Sequence, residues 1–281
     1  MSSANTEPDD AARYRGREAE LLRTSDILRM LPSGCNSALD VGARDGHFSK
    51  LLADRIPAVT ALDLEVPRID HPRVHCIPGD VTHLQFADAA FDLVVCTEVL
   101  EHIDPLGLPK ACAELARVTR RHLLVGVPYR QDTRVGRTTC RGCGTHNPPW
   151  GHRSTLDEHR LHGLFPGLRT VEESYVGRNR ETTNGLSRVL LDLAGNPYGT
   201  YGQEECCIGC GGALHEPPVR NLPQKVLTKA GHLARWLTER FQAERPTWIH
   251  LLFEKPSIPG SAAWAKAVVS PPATGSSLAR S

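Results

Sequence analysis

The chain has no run of about 18 apolar residues, the length that a membrane-spanning helix requires, so no span is expected in its 281 residues. It has no excess of charge either. Its 33 basic and 32 acidic side chains leave a net charge of +1. That balance lacks the electrostatic footprint of a protein built on a long nucleic acid or a membrane surface. A local cluster of arginines remains between Arg117 and Arg141. The N-terminal stretch Met1–Asp10 is polar and acidic, unlike a secretory leader, and the expected location is cytoplasmic. In a reducing compartment, nine cysteines read as buried thiols or metal ligands rather than disulfides. There is no internal repeat beyond one short echo: Cys140-Arg141-Gly142-Cys143-Gly144 and Cys207-Ile208-Gly209-Cys210-Gly211.

What is present is a core-sized apolar fraction, 40%, in a length that suits one large α/β domain with an insertion. Residues 1–10 and 256–281 read as disordered. Leu21, Leu22, Ile27, Leu28 and Leu31 recur at helical spacing over 11–31, and Pro32 and Gly34 end the run. Such a helix would cover the sheet edge or lid the site. Apolar strands are expected at 36–41, 58–63, 73–77, 91–96 and 121–127, with helices near 47–54 and 106–119. This alternation predicts a parallel sheet covered on both faces. After Pro128 the chain turns polar and loop-like over 130–152. A helix at 154–165 capped by Ser154, a strand at 168–176, helices at 183–194 and 223–242, and a last strand at 247–253 complete the reading. Cys35, Cys76, Cys96 and Cys112 fall in or beside these elements as small buried hydrophobes.

The informative stretch is Leu39–Ser49. A buried strand ends at Asp40-Val41, a glycine turn runs from Gly42 to Gly46, and an amphipathic helix begins at His47. A second strand ends in Asp63 about 20 residues after the turn, as a ribose-binding βαβ unit requires. A glycine turn alone fits NAD, FAD and S-adenosylmethionine (SAM) equally. The acids discriminate. Asp40 sits where a pyrophosphate would have to approach, and suits instead a cationic group such as a methionine α-ammonium. The Asp63 carboxylate can accept from two ribose hydroxyls. Asp80, after the third strand, could accept from an adenine amino group. Leu64, Val81 and Glu98 border the same ends.

Asp40-x-Gly42-x-x-x-Gly46, Asp63, Gly79-Asp80 and the block Phe91-Asp92-Leu93-Val94 to Glu101-His102 together resemble the class I SAM-dependent methyltransferases. The resemblance covers about residues 36–128, plus the final strand. It implies an α/β fold with a seven-stranded, mostly parallel Rossmann-like sheet, helices on both faces and an antiparallel last strand. SAM would lie at the carboxyl ends of the first strands. Arg44 departs from the family, many of whose members have glycine there. Its side chain would point to solvent or reach the methionine carboxylate.

Glu98, Glu101 and His102 stand at i, i+3 and i+4, and would share one face of a helical turn after the fourth strand. The Glu-x-x-Glu-His block with a later His152 resembles ubiquinone-pathway O-methyltransferases and small-RNA 3′-end methyltransferases. Those families imply Mg²⁺ or another divalent ion on Glu98, Glu101, His102 and His152. The competing reading is metal-free, with Glu98 bordering the cofactor and Glu101 and His102 capping, pairing or moving a proton. Both readings stay open at this stage.

Two Cys-x-Gly-Cys-Gly knuckles, Cys140/Cys143 and Cys207/Cys210, supply the four thiolates of a structural zinc site that would staple the insertion at about 130–220. Cys206 competes with Cys207, and Cys207 is preferred because it completes the repeat. Trp150 either stacks on an acceptor or anchors its loop. The leading expectation is methyl transfer from SAM to a small-molecule hydroxyl by a domain spanning 11–255. RNA modification and a non-enzymatic scaffold are the alternatives, while Asp40 disfavours a nicotinamide dehydrogenase. The acceptor and the oligomeric state are not legible.

Overall fold

Short apolar runs that alternate with amphipathic ones fold into strands that must be buried on both faces. The computed structural model describes residues 17–217 and 219–256. The expected disorder at 1–10 and beyond 256 lies outside them, as does the start of the expected 11–31 helix. In chain order the elements are α1 (Glu18–Met30), β1 (Ser37–Val41), α2 (His47–Ala53), β2 (Ala58–Asp63), β3 (Val74–Pro78), β4 (Phe91–Thr97), α3 (Leu108–Val118) and β5 (Thr119–Pro128). Then come β6 (Thr138–Thr139), β7 (His146–Asn147), a 3₁₀ turn (Pro149–Gly151), α4 (Glu158–Leu164), β8 (Arg169–Val176), α5 (Gly185–Leu193), α6 (Leu222–Phe241) and β9 (Trp248–Glu254).

Seven strands form one sheet in the order β3-β2-β1-β4-β5-β9-β8. The pairs among β3, β2, β1, β4 and β5 are parallel, and β9 runs antiparallel to β5 and β8. Alternation along β4 assigns its side chains to two cores. Val94 and Cys96 pack with Leu39, Leu123 and the α3 residues Ala111, Cys112 and Leu115. Leu93 and Val95 pack with Ala38, Leu124, Ile27 and Met30 of α1, and Leu52 of α2. Helices therefore cover both faces, as expected. Cys35, Cys96 and Cys112 are buried, while Cys76 is half-buried. Among the described residues no helix is long and apolar enough to cross a membrane.

Ser154 does not cap the next helix. Its amide and that of Arg153 donate to the Glu101 carbonyl, and Leu156 pairs with Tyr129, so the chain stays extended to Asp157. Asp157 then caps α4 by accepting from the Arg160 amide.

α1 lies against β8 and β9. His250 on β9 is fully buried, and its Nδ1 is 2.6 Å from Oδ2 of Asp26. Ser174 and Arg29 also donate to Asp26. Burial alone would raise the Asp26 carboxyl, but these hydrogen bonds outweigh it and hold it at about 2. A depressed carboxyl contributes stability that is present above its unfolded pKa and lost as pH falls through the folded one. Asp26→Ala is expected to cost about 2–3 kcal/mol at pH 7. The difference in Tm between variant and parent should shrink as pH falls from about 4 toward 2. A difference that does not change over that range would show that the pair contributes nothing.

Candidate active site

The strand order reverses between β1 and β4, so the chain leaves their carboxyl ends in opposite directions and opens a crevice there. The turn after β1 forms one wall. Gly42 and Gly46 have φ of +80° and +75°, and Arg44 between them takes φ +44°. Arg44 thus adopts the left-handed conformation that glycine would take at low cost. Its amide donates to Asp63 Oδ2 at 2.8 Å, and its guanidinium points to solvent, where it pairs with the exposed Glu204 at 3.0 Å.

Asp63 sits at the end of β2. Each carboxylate oxygen accepts one backbone amide, from Arg44 and from Leu64, which fixes its orientation and leaves further lone pairs for a ligand. Leu64 beside it is 75% exposed, an apolar surface next to a hydrogen-bonding acid. That combination fits a nucleoside. Asp80 is exposed past β3 and accepts from the Thr82 amide, while Val81 is buried. Asp40 is buried beneath the turn and accepts from the Ser49 hydroxyl at 2.5 Å. Burial, opposed by Ser49 and helped by the nearby Asp63 charge, pushes Asp40 up to about 6.

β4 ends at the other wall. Glu98 has φ +57°, so the expected helical turn does not include it. Regular i→i+3 bonds begin only at Val99 and Leu100, with His102 and Ile103 as donors. This break turns Glu98 away from its neighbours. Its Oε2 accepts from the Trp248 indole at 3.3 Å, and Arg23 of α1 stands 4.0 Å from Oε1. Burial raises Glu98 to about 7.

Glu101, His102 and His152 do come together, with one ligand atom from each lying within 4.8 Å of the others. Glu98 stands outside this group. The 153–154 backbone bonds to the Glu101 carbonyl carry His152 in from the loop beyond β5. Glu101 is 1% exposed, and neither carboxylate oxygen has a hydrogen-bond partner. Burial therefore holds it well above the usual carboxylate range. Burial lowers His102, and lowers His152 to about 3, so both imidazoles are neutral near pH 7. Gln131 Oε1 faces His152 Nδ1, which leaves Nε2 to act as an acceptor or ligand. Trp150 is half exposed at the rim rather than anchored in the core.

Three contributors escaped the sequence reading: Gln131, Trp248 and Arg23. Trp248 carried a usable signal. An antiparallel last strand begins at the edge where the parallel strands end, so its first residue belongs to the site.

The four knuckle cysteines also converge. Cys140 and Cys210 sulfurs are 3.7 Å apart, Cys143 and Cys207 sulfurs 3.6 Å apart, and all four lie within 4.8 Å of one another. Cys206 is exposed and outside the cluster.

A Cβ on Gly42 would stand 2.3 Å from Val99 Cγ2, in a conformation already unfavourable for a side chain. Gly42→Ala is expected to weaken S-adenosylhomocysteine (SAH) binding at least about tenfold while costing about 1–3 kcal/mol of stability. Calorimetry and thermal unfolding measure the two. Unchanged SAH affinity would contradict the placing of the cofactor at this turn.

A family model described as a methyltransferase domain matches residues 39–123. An uncharacterised methyltransferase of Mycobacterium tuberculosis is 31% identical over 166 residues, which cover 49% of this chain and 82% of the relative. The malonyl-[acyl-carrier protein] O-methyltransferase of Pectobacterium atrosepticum is 35% identical over 118 residues, 39% of this chain and 46% of the relative. The ubiquinone biosynthesis O-methyltransferase of Paracidovorax citrulli is 26% identical over 143 residues, 41% and 60% respectively. The structure of the N-methyltransferase NodS from Bradyrhizobium japonicum, in complex with SAH, superposes with a TM-score of 0.50 at 16% identity, covering 89% of this chain and 93% of that one. With a glycine turn, ordered acids at successive strand ends and a strand order that opens a crevice between β1 and β4, the chain belongs to the class I SAM-dependent methyltransferases and is an enzyme of methyl transfer.

Proposed function

We propose that the enzyme methylates a hydroxyl of a small-molecule acceptor, with a divalent cation held by Glu101, His102 and His152. The observation that carries this reading is the buried Glu101 carboxylate, which has no hydrogen-bond partner and lies beside two neutral imidazoles that pack edge to face. An isolated buried carboxylate must take up a proton or a cation. A cation there would lower the pKa of an acceptor hydroxyl. Two imidazoles and one carboxylate suit a transition ion such as Mn²⁺ better than Mg²⁺, which prefers oxygen ligands. The malonyl-carrier and ubiquinone relatives are both O-methyltransferases, which supports the choice of atom.

The chain's own residues do the positioning. Asp63, Leu64, Asp80 and Val81 would hold the adenosine, Asp40 would balance the α-ammonium, and Glu98 would border the sulfonium end. SAM brings an already activated methyl group, so catalysis requires alignment in line with the acceptor oxygen and removal of one proton. Arginines in the 117–141 stretch are mostly engaged by carboxylates: Arg117 with Glu114, Arg120 with Asp92, Arg130 with Glu158, Arg134 with Asp132 and Arg137 with Asp192. This favours a small acceptor over RNA.

Residues 36–128 then form the SAM-binding core of a domain spanning 11–255, and 130–220 the insertion. Cys140, Cys143, Cys207 and Cys210 bind structural zinc. A tetrahedron with Zn–S near 2.3 Å has S···S edges of about 3.8 Å, close to the observed 3.6 and 3.7 Å. A disulfide would need about 2.05 Å. Thiols in this state accord with a reducing, cytoplasmic setting.

Mn²⁺ at about 100 times its Kd should add about 2.7 kcal/mol to the stability of the parent and nothing to Glu101→Gln. Equal stabilisation of both would remove Glu101 from any metal site. A second test uses pH. If Asp40 must ionise to receive the ammonium, SAH affinity should be flat above about pH 7 and fall about tenfold per unit well below 6. A flat calorimetric profile from pH 5 to 7 would separate Asp40 from the ligand.

A further inference from the structure

Three consecutive residues lead from α5 toward the second knuckle, and each touches the wall of the active site. Gln203 Oε1 accepts from the Trp150 amide at 2.5 Å. Glu204 Oε2 accepts from Arg44 Nη2 at 3.0 Å. The Glu205 side chain lies against Gly151, where an added Cβ would be 2.7 Å from Glu205 Cγ. Their partners share one property. Arg44, Trp150 and Gly151 all have positive φ, at +44°, +57° and +67°. Two are non-glycine residues held in a sparsely populated conformation, one on the cofactor turn and one beside His152. Such conformations persist when surrounding contacts over-determine them.

The strap that supplies these contacts is itself held at both ends. The Thr200 amide donates to the Gly136 carbonyl at 2.9 Å, and the Ile208 amide to Asn147 Oδ1 at 2.8 Å. Beyond Ile208, Gly209 packs so closely on Thr145 of the first knuckle that an added Cβ would lie 2.4 Å from its hydroxyl. The two knuckles have matching backbones. Gly144 and Gly211 amides bond back to the Cys140 and Cys207 carbonyls, and the Cys140 and Cys207 amides bond forward to the Thr145 and Gly212 carbonyls. The pair of knuckles thus fixes where residues 203–205 stand. The Arg44–Glu204 pair is exposed, 74% and 50%, and has little energy of its own. Its effect depends on Glu204 being held in place in advance.

We propose that the four-cysteine knot anchors a clamp, in which bound zinc holds Gln203–Glu205 against the cofactor turn and the Trp150–His152 loop, so that cofactor affinity depends on zinc. The inference rests on the zinc reading above, and its test separates the two. The full chain is purified without chelator, its zinc is counted by mass spectrometry, and SAH affinity is measured by calorimetry. Hydrogen exchange is followed over 42–46 and 149–152. The parent should carry one zinc per chain. Stripping the zinc should weaken SAH about tenfold, within the usual range of site-to-site coupling, and speed exchange in both segments. The double variant Gln203→Ala/Glu204→Gln should keep its zinc yet show the same weakening and faster exchange. This variant keeps the test informative if the stripped protein unfolds. Zinc-loaded double variant with parental affinity and exchange overturns the clamp and leaves the zinc site standing. Protein that carries no zinc and takes up no Co²⁺ with thiolate charge-transfer bands overturns the zinc reading and the clamp with it.

Discussion

The strand order reverses between β1 and β4, and the site depends on that reversal. Parallel strands can be joined only by crossovers over the sheet faces. Where successive crossovers diverge, nothing covers the carboxyl ends. The left-handed turn at 42–46 and the break at Glu98 lie on the two sides of this opening. Both are tied to neighbouring strands by backbone bonds, Gly42 to the Leu62 carbonyl and Glu98 to the Gly126 carbonyl. The crevice is therefore a property of the sheet rather than of mobile loops.

Charge is distributed unevenly around that crevice. On the β1–β3 side, Asp63 and Asp80 are accessible and each accepts from backbone amides. On the β4–β5 side, Glu98 is half-buried and Glu101 buried, and the loss of water pushes both carboxyls upward. The first side suits a ribose and an adenine. The second is a store of acids that can be neutral near pH 7 and accept positive charge when a ligand brings it. The proposed transfer from a sulfonium to a hydroxyl would use that asymmetry: a polar grip at one end, and a proton-accepting or cation-holding cluster at the other.

Much of the fold was legible because it is written in local patterns. Strands such as Phe91–Thr97 are continuous apolar runs, and acids at strand ends mark the cofactor side. The antiparallel last strand followed from the family resemblance. What could not be read depends on tertiary contacts. Glu98 belongs to a helical spacing, yet its positive φ, with its amide bonded to Gly126, takes it out of the Glu101–His102 face. Ser154 is a good cap by type, but the Glu101 carbonyl claims its amide. Arg44 could be noticed as a departure from glycine. Its partner Glu204, 160 residues away, could not be found by spacing. Gln131 carried no signal beyond its place after β5.

The central claim is that the Glu101–His102–His152 cluster binds a cation directly beside the cofactor. Nuclear relaxation of bound SAH in the presence of Mn²⁺ tests it most directly. The account predicts strong Mn²⁺ broadening of the SAH resonances nearest the sulfur in the parent, and none in Glu101→Gln at equal SAH occupancy. Sharp resonances in the parent, with SAH bound and Mn²⁺ in excess, would contradict it.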